Sequence, residues 1–470
     1  MTFTETHIHF VGIGGIGMSG IARMLAAEGK RVTGSDLAAT PVTRSLAADG
    51  IPVRLSQRAE NLSDVVDLLV VSAAVKDENP EVVEARRRGI PVQKYARVLG
   101  RLMNDRRGIA VSGTHGKTTT TAMIATVLRH AGLDPSFVVG AAVGPLGGSS
   151  GVGTGECFVV EACEYDRSFH NLSPHCAVIN NIEEDHLDYY TGGLEEIVAS
   201  FTQFASQVRP DGLLVVNRAD ENALRTVASG RVRSRVETFA VEDAEADWIA
   251  ADLRPSGGLF TFEAIGKGKS LGTFALGIPG RHNVSNALAA LACCAWAGVD
   301  VTATREALRT FHGADRRFQI VGESADVTVV DDYAHHPSEI RETLRAAREY
   351  FEGRRIVVIF QPHQHSRTRF LLSDFARSFD DADVVIVPEI YFVRDSESER
   401  QQVNSSDLVR AMQTHGKACH DLATFEDIEA YLADHLRSGD VVITMGAGDV
   451  YKLGHRLVGP LPEDGRQETA

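Results

Sequence analysis

The chain has 470 residues, 43% of them apolar and 24% charged, with a formal net charge of −15. That length exceeds what one hydrophobic core accommodates and, at roughly 100–200 residues per domain, predicts three domains. The acidic balance argues against nucleic acid as a partner, because a polyanion is met by a basic surface; it leaves small anionic ligands open, since a phosphate pocket is a local arrangement of donors.

The opening MTFTETHIHF has neither a basic n-region nor an apolar h-region, so no secretory signal is expected. The first segment, 1–105, starts with an apolar strand, His7–Val11, then GIGGIG (Gly12–Gly17), a helix from Met18 to about Gly29, and a strand Arg31–Gly34 ending at Asp36. Further strands are predicted over Val65–Val71 and Ile90–Val92, with helices between, which gives a parallel sheet covered on both faces. Gly12, Gly14 and Gly17 satisfy G-x-G-x-x-G between strand and helix, with an acid about 20 residues on. The pattern serves a nicotinamide dinucleotide, another pyrophosphate or a purely structural turn. The second is preferred, because the chain also carries a triphosphate loop. The Asn104–Gly108 cluster reads as a linker.

The middle segment, 106–312, opens with that loop. GTHGKTTTT (Gly113–Thr121) follows the apolar run Gly108–Ser112 and precedes a helical stretch, Ala122–His130. In such a turn, backbone N–H groups and the helix N-terminus face phosphates, the lysine reaches the terminal ones and the Thr hydroxyl meets Mg²⁺. The loop is short: the full spacing asks for glycine where Val111 stands. Strands are predicted at Phe137–Val139, Cys157–Val160, Ala177–Ile179 and Leu213–Val216, followed by a strand-and-turn-rich stretch, Arg231–Ile278. Glu161, Glu164 and Asp166 follow one strand, and a carboxylate at a strand C-terminus beside a phosphate loop is a candidate Mg²⁺ ligand or a solvated turn. His186, between Asp185 and Asp188 after the next strand, is a second candidate ligand or a structural histidine. In PGRHNVSNALAAL, His282, Asn283 and Asn286 surround a helix start, as caps or as adenine contacts. The longest apolar run, Ala287–Val299, is short of the roughly 20 residues of a membrane span. The six cysteines show neither a CxxC pair nor zinc spacing, which favours reduced thiols in a cytoplasmic protein.

The third segment, 313–470, is again doubly wound, with strands at Val327–Val330, Arg355–Phe360, Val384–Val387 and Val441–Met445 and helices such as Glu339–Tyr350 and Thr368–Phe379. VVDDYAHHPSEI and VVIFQPHQHSRTR place Asp331, Asp332, His335, His336, His363, His365, Arg367 and Arg369 at strand C-termini, the ligand-binding edge of such a sheet. Arg316 and Arg317 are candidates to reach a γ-phosphate from the adjoining segment. The tail from Pro460 is polar and expected to fray.

In this order HFVGIGGIGMSGIA, GTHGKTTTT, EACEYD, NIEEDHLDYY, PGRHNVSNA, GADRRF, DDYAHHP, FQPHQHSRTR and TMGAGDVYKLG resemble the Mur ligases, ATP-dependent amide-forming enzymes of peptidoglycan precursor synthesis. The resemblance implies an α/β protein with an N-terminal Rossmann-like domain for a UDP-sugar, a central P-loop ATPase domain and a C-terminal Rossmann-like domain bringing the amino acid. Within the family it points to ATP- and Mg²⁺-dependent joining of L-alanine to the lactyl carboxylate of UDP-N-acetylmuramate through an acyl phosphate, by a cytoplasmic monomer or homodimer. The alternatives are a ligase recycling a tripeptide onto the same sugar and a nicotinamide-dependent oxidoreductase. Carried over, Gly12, Gly14, Gly15 and Gly17 lie against the UDP diphosphate with Asp36 and Ser72 nearby. Gly113, Thr114, His115, Gly116, Lys117, Thr118 and Thr119 cradle the triphosphate; Thr118, Glu161 and His186 ligate Mg²⁺. His282 and Asn286 flank adenine, Asp332 takes the ribose, Arg317 touches phosphate, and His335, His363 and Arg367 meet the amino acid. His335, His336 and His363 are equal candidates for the base that deprotonates it. Three departures bear on these pockets: the family's Gly-His near Ser56-Gln57 is missing, its His-Arg pair reads His363-Gln364, and the stretch Glu389–Arg400 is more charged than the resemblance implies. No Lys lies between Lys117 and Lys267, so the carbamylated lysine of later-acting relatives has no counterpart.

Overall fold

A computed structural model describes residues 3–459; the polar tail from Pro460 lies outside them. Three sheets follow one another along the chain. The first is parallel and 5-stranded, in the order Val53–Arg54, Arg31–Ser35, His7–Val11, Leu68–Val71, Val92–Lys94. His7–Val11 is its central strand and buried throughout, so the loop leaving it, Gly12–Gly15, emerges at the sheet's C-terminal edge where ligands bind in such folds.

The second sheet is 10-stranded. Its parallel heart places Arg107–Ser112 between Cys176–Ile179 and Cys157–Glu161. Alternation along Arg107–Ser112 divides two cores: Ile109 and Val111 enter one, Ala110 the other, as expected of a strand covered on both faces. The second of these cores runs on into Ile8, Phe10 and Leu68 of the first sheet, so the N-terminal and central units pack as one body. The strand-rich stretch is an antiparallel appendage, Trp248–Ser256, Leu259–Gly266 and Lys269–Ala275. The apolar run forms the helix Arg281–Ala297, packed in the core. No helix among the described residues is long and apolar enough to cross a membrane, and all six cysteines are free.

The third sheet is 6-stranded and parallel except for its edge strand Gln319–Ser324, which pairs antiparallel with Val327–Asp332. That edge was absent from the sequence reading. Two other expectations need correction. The Asn104–Gly108 linker is shorter than expected, Asp105 and Arg106 alone joining the helix Tyr95–Asn104 to the strand Arg107–Ser112. The helix expected over Thr368–Phe379 is two short ones, His365–Phe370 and Leu372–Ala376, broken where Leu371 takes φ −107° and ψ 18°. The first is pinned by Asp395, which accepts from His365 N at 2.5 Å and Ser366 Oγ at 2.6 Å.

Candidate active site

The loop between Ser112 and the helix Lys117–His130 turns on Gly116, which is left-handed at φ 77°. A Cβ there would sit 2.5 Å from Asn286 Oδ1, so glycine is required twice over, for conformation and for space. Asn181 fastens the loop by accepting from Thr114 N (3.0 Å) and, through its side chain, from His115 N (2.7 Å). Lys117 Nζ donates to the carbonyls of Gly113 (2.6 Å) and Thr114 (2.9 Å) and to Glu164 Oε1 (2.9 Å). Burial opposes its charge, yet the Glu164 carboxylate lifts its pKa above the usual lysine value.

Beside the lysine lies an oxygen-rich cluster. Glu161 Oε2 accepts from Thr118 Oγ1 at 3.0 Å and from Gly140 N at 2.8 Å. Arg317, arriving from the third segment, donates to Thr118 Oγ1 at 3.2 Å. His186 sits at φ 52° with Nε2 4.0 Å from Glu164 Oε1 and 3.7 Å from Asp185 Oδ2. Burial lowers its pKa to about 4, so the ring is neutral at physiological pH and its lone pair is available. Glu164 Oε2 is buried without a partner. Carboxylate and hydroxyl oxygens, one of them unsatisfied, form a hard donor set that fits Mg²⁺.

A cavity of about 240 Å³ opens next to the loop, lined by His115, His282, Asn286, Arg317 and Asp332 among others. Asn286 accepts from Thr120 Oγ1 at 3.2 Å and donates to Asn283 Oδ1 at 2.9 Å. His282 Nδ1 lies 3.7 Å from Glu342. Asp332 lines the cavity, but its two oxygens already accept from Phe318 N and Ala334 N, each at 2.7 Å. Arg316 turns away from the phosphate loop, onto Asp331 (2.9 Å) and Gly446 O (2.6 Å); of the arginine pair only Arg317 faces it.

Arg367 bridges the central and third sheets. It donates to Asp185 Oδ1 at 2.9 and 3.1 Å and lies 3.3 Å from His363 Nδ1. Burial lowers the His363 pKa to about 3. His363 stacks on Tyr391 and meets the edge of His335, with centroids 5.7 and 6.0 Å apart. His336 has both nitrogens engaged, by Glu184 O (3.1 Å) and Ser338 N (3.3 Å).

At the first sheet, Asp36 folds back onto the glycine loop and accepts from Gly14 N at 2.8 Å, as well as from Leu37 N and Ala38 N. Ser72 Oγ faces Gly12 across 3.1 Å of would-be Cβ space. Gly15 N donates to Gly12 O, and Gly17 lies against the Tyr95 ring, which would be 2.6 Å from any Cβ there. Glu183, Glu339 and Tyr95 have no assigned role in the sequence pattern, and Asp185 stands there only as a neighbour of His186; the long-range partners that bring Asp185 and Glu339 to the site, Arg367 and His115, lie 182 and 224 residues away.

Three family models match successive parts of the chain: the Mur ligase family catalytic domain over 7–107, the Mur ligase middle domain over 111–294, and the Mur ligase glutamate ligase domain over 316–448. The UDP-N-acetylmuramate–L-alanine ligase of Geobacter sulfurreducens is 45% identical over 460 residues, 97% of this chain and 98% of that one. Its namesake in Caldanaerobacter subterraneus is 42% identical over 96% and 97%. Among solved structures, the Thermotoga maritima UDP-N-acetylmuramate–alanine ligase aligns with TM-score 0.80 and 33% identity over 96% of this chain and 98% of that one. A murein peptide ligase from Psychrobacter arcticus aligns with TM-score 0.72 and 28% identity over 99% and 100%. With its phosphate loop, acid cluster and three successive α/β sheets in that order, the chain belongs to the Mur ligase family.

Proposed function

We propose that the protein joins L-alanine to the lactyl carboxylate of UDP-N-acetylmuramate with hydrolysis of ATP to ADP and phosphate, in peptidoglycan precursor synthesis. The observation that carries this reading is near full-length similarity to ligases of that name, together with a phosphate loop whose lysine pairs with Glu164 of the acid cluster and whose Thr118 meets Arg317 of the third segment. A carboxylate is a poor electrophile because its charge is delocalised; phosphorylation by ATP gives an acyl phosphate that the amine attacks, releasing phosphate.

Lys117, the loop amides of Gly113–Thr119 and the helix N-terminus offset charge on the β- and γ-phosphates, and Arg317 adds a guanidinium from the third segment. Thr118, Glu161 and His186 hold Mg²⁺, which when bound draws charge from the phosphoryl oxygens. His282 and Asn286 flank adenine, and Asp332 lies at the ribose. The loop of Gly12, Gly14, Gly15 and Gly17, with Ser72, receives the sugar-nucleotide diphosphate, while Asp36 keeps the loop in shape through Gly14. His363 and Arg367 orient the alanine carboxylate. The occupied nitrogens of His336 and the low basicity that burial gives His363 favour His335 as the group that takes the ammonium proton. Closure of the three units keeps water from the acyl phosphate.

The likeness to the murein peptide ligase keeps a second substrate in view, a free peptide in place of alanine. Phosphate release from ATP with UDP-N-acetylmuramate and, in turn, L-alanine, L-serine, glycine and the tripeptide decides between them. L-Alanine should give the highest kcat/KM; tripeptide-dependent release without alanine-dependent release would reverse the assignment.

A further inference from the structure

His115, Glu183 and His336 converge where the phosphate loop meets the helix Pro337–Tyr350, and one ligand atom from each lies within 4.8 Å of the others. His115 Nε2 is 3.6 Å and His336 Nδ1 4.0 Å from the same oxygen, Glu183 Oε2. The outward nitrogens are already held. His115 Nδ1 lies 3.1 Å from the Glu339 carboxylate, and His336 Nε2 lies 3.1 Å from the Glu184 carbonyl. An acceptor on the far nitrogen fixes a histidine's tautomer and turns the other lone pair inward, which is how metal-ligating histidines are oriented. The inward nitrogen of His115 is buried and has no hydrogen-bond partner.

We propose that these three side chains form a binding site for a transition-metal ion of the Zn²⁺ class, separate from the Thr118–Glu161–His186 cluster. Zn–N and Zn–O bonds of about 2.0–2.2 Å in a tetrahedron set ligand atoms roughly 3.3–3.5 Å apart, so the 3.6 Å separation closes by a few tenths of an ångström, the 4.0 Å one by about half an ångström or slightly more, and the two histidine nitrogens, within 4.8 Å of each other, draw together by side-chain rotation. Two imidazoles and one carboxylate are three protein ligands, and because His115 and Glu183 also line the nucleotide cavity, the fourth position opens towards it. Ligation uses the inward lone pair of His115 and so competes with protonation of that nitrogen, and the hydrogen bonds from Ser338 N to His336 Nδ1 and from Ser338 Oγ to Glu183 Oε2 give way. Two ligands come from the central unit and one from the third, so an ion here ties the two together across the cleft.

The test is titration of the full chain with Co²⁺ in excess Mg²⁺, followed by visible absorption. One equivalent should give the intense band of four-coordinate Co²⁺, and Zn²⁺ should remove it. Glu183→Gln in the central unit and His336→Ala in the third should each weaken binding at least about tenfold, the loss that follows when even an outer partner of a ligating histidine is removed. His186→Ala should leave the band in place. The absence of a band, its disappearance under excess Mg²⁺ or in His186→Ala, or its survival in Glu183→Gln overturns the site. Circular dichroism checks each variant's fold, and Glu183→Gln, which keeps the side chain's shape, decides the matter where His336→Ala does not fold. These readouts need no turnover, so they stand apart from the ligase assignment.

Discussion

Lys117 and Glu164 form a buried ion pair, Nζ to Oε1 at 2.9 Å, at the N-terminus of the helix that follows the phosphate loop. The pair holds the lysine over the loop before any phosphate arrives, and a γ-phosphate would replace one anionic partner with another. Lys117→Ala should lower ADP formation by at least about 10²–10³-fold, the scale of losing one charge-stabilising donor. UDP-N-acetylmuramate binding by calorimetry should stay near wild type, because the glycine loop is a separate site. Turnover within a few-fold of wild type would remove Lys117 from the phosphate site.

Glu161 is the carboxylate shared by Thr118 and Gly140. Glu161→Ala should raise the Mg²⁺ concentration for half-maximal activity by about tenfold or more, as loss of a ligand does in metal sites. A Mg²⁺ titration of initial rates checks this, and an unaltered midpoint takes Glu161 out of the metal shell.

Arg367 and Asp185 are both buried, and the pair joins the central and third sheets. Arg367→Ala leaves a buried carboxylate unpaired, at a cost of about 3–5 kcal/mol, and should also raise the KM for L-alanine. Thermal melts and initial rates separate the two effects. Adding Asp185→Asn should recover part of the stability and none of the KM. A KM unchanged in both variants would mean the arginine is a strut alone.

The same seam carries a pH dependence. Burial opposes the His115 charge, but the carboxylates of Glu183 and Glu339 on either side of the ring outweigh it and raise the pKa from 6.5 to about 9. Glu183, against its own burial, is drawn down to about 2 by His115. A raised histidine contributes stability that is complete below pH 6.5 and is lost as pH climbs through 9; a depressed glutamate contributes stability present above pH 4.5 and lost towards pH 2. Between pH 7 and 9.5 the wild type should therefore lose more Tm than His115→Gln does. Parallel losses would show that the imidazolium contributes nothing there.

The phosphate loop was legible because strand, glycine turn and helix are adjacent in sequence, and the same holds for the loop after His7–Val11. The pairings that assemble the site were not. His115 meets Glu339 and Arg367 meets Asp185 across 224 and 182 residues, and local pattern carries no information about such partners. Asp36 has the spacing of a ribose-binding acid, and its bond to Gly14 N could not be read from that spacing, because a short carboxylate after the second strand can also satisfy a nearby backbone donor. The early start of the helix at His365 was hidden for a similar reason: its anchor, Asp395, lies in a separate loop.

Acyl transfer through phosphate has an isotopic signature. With ¹⁸O in the lactyl carboxylate of UDP-N-acetylmuramate, the oxygen that attacks the γ-phosphorus must leave with it when the amine of L-alanine displaces phosphate. Mass spectrometry of the released phosphate should find one labelled oxygen per turnover. Unlabelled phosphate formed alongside the amide product would contradict activation of the acid by ATP.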